Sequence, residues 1–162
     1  MTDYVPPLRD IRFVLEQLAD LPGLCKLGAF AHVDPDTVAG VIEESGRFAA
    51  GVVGPLNRVG DTAGCVLDSG GNVTTPPGFT DAYEQYVAAG WGAVPFAPEF
   101  GGGGFPWLVT SAMQEMLASA NMAFALCPLL TQGSIELLTG HGSAEQQATY
   151  LEKMVAGSGP PR

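Results

Sequence analysis

Four consecutive glycines at positions 101–104 lie in the segment APEFGGGGFPW, directly before a predicted helix. Glycine-rich loops that precede helices can bind phosphate through backbone N–H groups, and a Lys and a Ser or Thr usually follow them. Here Glu99 precedes the glycines, Pro106 follows them without an N–H group, and no Lys is near. Because a carboxylate repels an anion, the sequence favours a structural connector whose glycines permit positive φ angles and close packing of two elements.

The histidines and serines show no catalytic or metal-binding spacing. His32 and His141 lie in predicted turns without a partner at ligand spacing, which favours capping or surface roles. The chain contains no GxSxG nucleophile motif, so Ser45, Ser111 and Ser134 are not candidate hydrolase nucleophiles. The sequence therefore predicts no catalytic residue of these types and no metal site.

The cysteines and two helical glutamates are also weak candidates for catalysis. The three cysteines are odd in number and widely spaced, which indicates reduced, packed thiols: Cys25, Cys65 and Cys127. Cys127 precedes Pro128 in the most apolar segment, so we expect a buried and unreactive thiol. Glu115 and Glu136 could be buried acids, but each is predicted on the polar edge of its helix.

The composition limits the partners of the chain. Seven Lys and Arg residues against 17 Asp and Glu residues give a net charge of -10, which argues against nucleic acid or an anionic membrane surface as the main partner. The N-terminal segment MTDYVPPLRD does not resemble a signal peptide, and we expect no apolar run near the roughly 20 residues that span a bilayer. The expectation is a cytoplasmic protein without a membrane span.

Apolar residues at helical spacing predict an all-α bundle of about six helices. Glu43 and Arg47 are spaced to pair on the second helix. The region 57–77 is predicted to be a long surface connection with a small hairpin turning at 69–72. The predicted helices cover 11–21, where Pro22 ends the first, then 34–56, 79–89, 106–120, 122–138 and 143–157.

The helix predicted at 122–138 is apolar almost all round, as expected of a buried helix, and Pro128 should kink it. Methionines, a phenylalanine and leucines here and on the preceding helix suit an elongated apolar ligand. An ordinary hydrophobic core is the alternative. The residues concerned are Met113, Met116, Met122, Phe124, Leu126, Leu129 and Leu130.

Several segments in fixed order resemble the N-terminal helical domain of the flavin-dependent acyl-CoA dehydrogenases. They are GFTDAYEQYVAAGW, PEFGGGGFP, MLASANMAF and HGSAEQQATYLEKMVAG. The upstream segments YVPPLRDIRFVLE, PLNRVGD and VTTPPGF look like a branch of large bacterial members. The resemblance implies one helical domain at 1–157 and a tail, 158–162, that departs from the family pattern.

The resemblance also implies a chemistry. Enzymes of this family remove an α-proton from an acyl-CoA with a glutamate base and transfer the β-hydride to FAD, a step of fatty acid metabolism. In the family the base lies in a C-terminal helical domain, and a middle β-domain makes much of the flavin contact. We expect neither domain in this chain, and therefore no catalytic and no cofactor-binding residue.

By resemblance, the chain contributes one wall of the acyl pocket, and FAD and acyl-CoA belong to the complete enzyme. A second chain carrying the other domains is one possible partner, and the chain alone should be inactive. The alternatives are a non-catalytic module that binds acyl chains or proteins, and a passive bundle. The implied wall consists of Phe124, Leu126, Leu129, Leu130 and Gly133, facing Met113 and Met116.

Overall fold

The computed structural model describes residues 4–158, and helices dominate it. Helices α3 to α8 each contain eight residues or more, in agreement with the predicted all-α bundle. The helices are α1 Leu8–Phe13, α2 Leu21–Leu24, α3 Pro35–Phe48, α4 Leu56–Ala63, α5 Phe79–Ala88, α6 Trp107–Ala120, α7 Met122–His141 and α8 Ala144–Val155. Strands β1 Val66–Leu67 and β2 Val73–Thr74 pair antiparallel.

The first helix ends earlier than the sequence predicted. A π-helical segment, Val14–Leu18, continues α1, and Asp20 then adopts a left-handed φ of 49°. The Asp20 carboxylate accepts a hydrogen bond from the Gly23 backbone N–H at 3.1 Å and so begins α2. Pro22 lies in the first turn of α2, where its missing N–H costs nothing, so it starts a helix rather than ending one.

Helix α3 follows the prediction closely. The Asp34 side chain caps it, accepting hydrogen bonds from the Thr37 N–H at 2.9 Å and the Thr37 hydroxyl at 2.6 Å. A second π-helical segment, Ala49–Val53, extends it. The predicted pair of Glu43 and Arg47 is present at 3.8 Å, and Glu43 also pairs with Arg12 of α1 at 2.7 Å.

The region 57–77 is only partly the loop that was predicted. The hairpin is confirmed, and the Asp68 carboxylate accepts N–H bonds from Gly70 and Asn72, each at 2.8 Å. The first part of the region is helix α4, which the prediction missed because glycine and polar residues dominate its composition. Gly60 lies so close to the Phe79 ring that a Cβ there would be 2.8 Å from it, so close packing explains this glycine.

Helix α6 lies at the centre of the main hydrophobic core. It packs against α3, the segment Ala49–Val53 and α7. A smaller cluster of buried residues joins α8 to α7: Phe96, Ile135, Leu151 and Val155. The predicted capping box of α8 is present, because the Ser143 hydroxyl accepts from the Gln146 N–H at 3.2 Å and the Gln146 amide oxygen accepts from the Ser143 N–H at 2.8 Å.

Helix α7 is buried on one side, whereas the sequence predicted a helix buried all round. One stripe faces the core: Phe124, Ala125, Pro128, Gln132 and Ile135. Cys127 lies outside this stripe and is exposed, so the expectation that its thiol is buried is wrong. Its neighbour Pro128 is buried because it lies one position further round the helix.

The length of α7 also bears on the expectation that the chain has no membrane span. Its 20 residues are long and apolar enough to cross a bilayer by length and composition, contrary to the expected lack of such a run. Core helices of soluble proteins meet the same criteria. The absence of a membrane span therefore stays a prediction. The predicted tail lies, apart from Ser158, outside the described residues.

Candidate functional site

The main candidate site is the exposed apolar side of α7, which we term the α7 outer face. Residues spaced at i, i+4, i+7, i+8, i+11 and i+15 lie on one side of a helix. The α7 outer face comprises Met122, Leu126, Leu129, Leu130, Gly133 and Leu137, all of them exposed. Gly133 leaves this face open, because a Cβ placed there would meet nothing within 4 Å.

A groove of about 360 Å³ runs beside this face, between α6 and α7. Leu129 forms part of it, and five of the eight lining residues have polar side chains, although apolar atoms make up most of the groove surface. The lining residues are Trp107, Thr110, Ser111, Gln114, Glu115, Ala118, Leu129 and Gln132. Thr110, Gln114 and Gln132 were not among the predicted site residues, although polar residues within strongly apolar helices are a signal that the sequence contains.

The structure divides the seven predicted wall residues into two groups. Leu126, Leu129, Leu130 and Gly133 lie together on the α7 outer face. Met113, Met116 and Phe124 are buried in the core and therefore do not face the leucines across an open pocket. Their role as a pocket wall stays a prediction.

The buried group has structural contacts. Met116 is 1% exposed, and its sulfur would lie 3.3 Å from a Cβ on Gly46 of α3. The Phe124 ring packs against Tyr86, with ring centroids 6.2 Å apart. Burial raises the pKa of the Tyr86 hydroxyl above its ordinary value, with smaller contributions from Tyr83 and Cys127. These side chains hold α7 against α5 and α6.

The tetraglycine loop is a structural connector, as predicted. Its backbone N–H groups point inward, where Gly102 donates to the Ala97 carbonyl at 3.1 Å, and Gly104 to the Phe96 carbonyl at 2.9 Å. The Gly103 N–H donates at 3.0 Å to the Ala93 carbonyl. Because these donors are used internally, the loop does not form a phosphate cradle.

The histidines and acids lie where the sequence placed them. His32 is within hydrogen-bond distance of the tetraglycine loop, with its Nε2 atom 3.1 Å from the Gly103 carbonyl oxygen. His141 ends α7 at the surface. Glu115 and Glu136 are exposed, in agreement with the predicted polar edges. Within residues 4–158, no three or more His, Cys, Asp or Glu side chains are grouped so as to hold a metal ion.

Comparison of the sequence with models of known families identifies the family of this chain. The model of the family described as acyl-CoA dehydrogenase, N-terminal domain, matches residues 72–158, which include α5 to α8 and the tetraglycine loop. The chain belongs to the acyl-CoA dehydrogenase family. The match includes the whole α7 outer face, so the candidate site lies inside the family domain.

Relatives of known name extend the similarity over almost the whole of this acyl-CoA dehydrogenase domain. It is 40% identical over 154 residues to 3-methylmercaptopropionyl-CoA dehydrogenase of Ruegeria pomeroyi, covering 95% of this chain and 26% of that protein. It is 28% identical over 163 residues to a butyryl-CoA dehydrogenase of Syntrophomonas wolfei, covering 96% of this chain and 26% of the relative. The chain thus spans about a quarter of the length of these relatives.

The tetraglycine loop of this acyl-CoA dehydrogenase domain does not provide a pyrophosphate site for a flavin dinucleotide. A flavin dinucleotide carries a pyrophosphate, which needs free N–H donors or positive charge. The amides of the tetraglycine loop are bonded within the protein, and the chain carries a net charge of -10. What this domain offers a ligand is therefore an apolar helix face, with a groove beside it that both polar and apolar side chains line.

Proposed function

We propose that this chain is the N-terminal part of an FAD-dependent acyl-CoA dehydrogenase and supplies one wall of its acyl pocket. The observation that carries the proposal is the α7 outer face, which exposes leucines on a helix that the family match covers. Exposed leucines on a well-packed helix provide an apolar surface that an aliphatic chain can bind. The 40% identity to 3-methylmercaptopropionyl-CoA dehydrogenase supports an acyl-CoA thioester as the substrate class.

In this proposal the residues of the chain bind and orient the acyl group and exclude water. In the complete enzyme, FAD would supply the hydride acceptor, and the protein beyond this domain would hold FAD and the base that removes the α-proton. Leu126, Leu129 and Leu130 contact the acyl chain. Met113, Met116 and Phe124 act from behind, because their packing fixes the position of α7.

The test replaces the matching N-terminal region of the Ruegeria pomeroyi enzyme with residues 4–157 of this chain. Leu130→Asp and Leu67→Asp are compared in the chimera, since both leucines are 69% exposed but only Leu130 lies on the α7 outer face. Burial of a leucine contributes about 1.5–3 kcal/mol, so we expect kcat/KM for the acyl-CoA to fall roughly 10–100-fold with Leu130→Asp. Leu67→Asp should leave it unchanged.

Two control measurements show whether each chimera is folded and contains its cofactor. Flavin absorption of each purified chimera establishes that the cofactor is held, and circular dichroism establishes that the helices are formed. Equal kcat/KM values for Leu130→Asp and Leu67→Asp in flavin-containing chimeras would contradict the proposed role of the α7 outer face. The isolated chain should show no turnover of acyl-CoA with a dye acceptor, and measurable turnover would contradict its proposed dependence on other domains.

A second candidate function is a non-catalytic module that binds acyl chains. The same exposed leucines favour it, because they can bind an aliphatic chain without any redox chemistry. Calorimetric titration of the isolated chain with an acyl-CoA and with a free fatty acid distinguishes the two functions. Binding of both by the isolated chain, together with a chimera that holds no flavin, would favour the module over the dehydrogenase.

A further inference from the structure

A small, partly open cavity lies next to the α6–α7 groove. Its volume is about 20 Å³, and residues from α3, α6, α7 and the turn at Trp91 surround it. Its polar lining includes Ser45, Trp91, Thr110 and Gln132. Thr110, Gln114 and Gln132 also line the groove, so they form the partition between groove and cavity.

Two buried polar atoms of residues that line this cavity lack a hydrogen-bond partner. The Thr110 hydroxyl and the Trp91 indole N–H are buried and have no hydrogen-bond partner among the described residues. Thr110 as a whole is 3% exposed. Buried polar groups in native proteins almost always have a partner, and an ordered water molecule is a common one.

The volume and the available groups match one water molecule. One water needs about 10–15 Å³ of such volume and two to four polar partners. The volume of the cavity is therefore sufficient for one water. The Ser45 hydroxyl donates to the Ile42 carbonyl at 3.0 Å, so its lone pairs remain available to accept a bond.

We propose that this cavity is a binding site for one ordered water molecule. The water accepts a hydrogen bond from the Trp91 indole N–H, donates one to the Ser45 hydroxyl and exchanges a hydrogen bond with the Thr110 hydroxyl. It thereby joins α3, α6 and the turn at Trp91 at the level of Gln132. Gln132 of α7 lines the same cavity, so the water lies against the buried side of α7.

Thr110→Val tests this water site through the sign of its effect on thermal stability. Valine has nearly the shape of threonine but cannot bond to water. If the water is bound, the variant loses a bridging interaction and its Tm falls by roughly 3–6 °C. If the cavity is dry, the variant removes an unpartnered hydroxyl and its Tm rises, which would overturn the proposal.

Two further variants serve as controls for Thr110→Val. Thr110→Ser keeps the hydroxyl, so it should keep the water in the cavity. Thr149→Val is the matched control, because the Thr149 hydroxyl lies on the exposed side of α8 and bonds to the Glu145 carbonyl of the same helix at 2.7 Å. We expect Thr149→Val to leave the Tm within about 1 °C of the wild-type value, as for most surface substitutions.

A crystal structure of the unaltered 162-residue chain gives a test that does not depend on any variant folding. The expected result is a density peak within hydrogen-bond distance of both the Trp91 Nε1 and the Thr110 Oγ1 atoms. The same peak should be present in Thr110→Ser and absent from Thr110→Val. Well-ordered side chains around a cavity without density would overturn the proposal.

Discussion

Replacing Gly102 by alanine should destabilise the protein strongly, because this glycine lies against backbone rather than against a side chain. A Cβ on residue 102 would lie 2.0 Å from the Phe96 carbonyl oxygen. Real Cβ atoms do not approach within 3.0 Å of another heavy atom, so the two segments would have to separate by about 1 Å. A flexible side chain could rotate away, but a carbonyl can move only with its backbone.

The displacement has a calculable cost. The Phe96 carbonyl accepts the Gly104 N–H at 2.9 Å, and a shift of about 1 Å breaks that bond. The neighbouring bond from Gly103 to the Ala93 carbonyl, 3.0 Å long, lies in the same loop and should weaken with it. With a net loss of roughly 1–2 kcal/mol per broken bond, the expected destabilisation is about 2–4 kcal/mol.

Urea denaturation followed by circular dichroism measures this change, with Gly40→Ala as the matched control. Gly40 lies within α3, and a Cβ there would meet nothing within 4 Å. Alanine is the better helix former, so Gly40→Ala should stabilise the protein by about 0.5–1 kcal/mol. The reasoning is refuted if Gly102→Ala unfolds within about 1 kcal/mol of the wild type, or if both variants are destabilised alike.

Two further predictions concern helix caps. Bonds from Thr37 hold the pKa of the Asp34 carboxyl below its ordinary value, so the stability that this group contributes is present above the unfolded pKa and is lost as the pH falls through the folded pKa. In urea titrations, the advantage of wild type over Asp34→Asn should therefore shrink from pH 5 toward the acid limit, and a constant difference would contradict it. Asn121 is 1% exposed, accepts the Phe124 N–H at 3.1 Å and donates to the Val53 carbonyl at 3.4 Å. Asn121→Ala should cost roughly 2–3 kcal/mol in the same assay, and a loss of less than about 0.5 kcal/mol would contradict the capping role.

The helices with strong local signals could be predicted from the sequence. Asp34 before Pro35 marks the start of α3, and the Ser143 and Gln146 capping box marks the start of α8, because cap chemistry acts within a few residues. Pro22 misled the prediction for the same reason that it is tolerated in α2, since the first helical turn needs no N–H at that position. Local sequence alone did not distinguish a proline that ends a helix from one that starts the next.

Burial around α7 could not be predicted from its composition. An apolar helix is expected to be buried, but how much of it is buried depends on which elements pack against it. In this domain α6, α4 and α8 contact α7, and one apolar side remains uncovered. The expected burial of Cys127 failed for this reason, because Cys127 lies outside the stripe that those helices cover.

The polar contact between α6 and α7 behind the candidate site also could not be predicted from the sequence. Thr110 and Gln132 are 22 positions apart and belong to different helices, so only the packing of α6 on α7 brings them to one cavity. A polar residue within a strongly apolar helix marks each position singly but does not identify its partner. Spacing within one helix carries no information about a contact between two helices, and a long-range contact of this kind needs the structure.

The two sides of α7 have separate physical roles, and this separation decides how the domain can vary. The core side is fixed by Phe124, by Asn121 at the N-terminus and by the cluster that includes Ile135 and Leu151. The α7 outer face contributes little to folding of the described chain because its leucines are exposed. Substitutions there can therefore alter what the face binds without unfolding the domain, since surface changes cost about 0.5 kcal/mol or less. Under the proposed function, substitutions on the α7 outer face change which acyl group is bound, whereas substitutions on the core side change the stability of the fold.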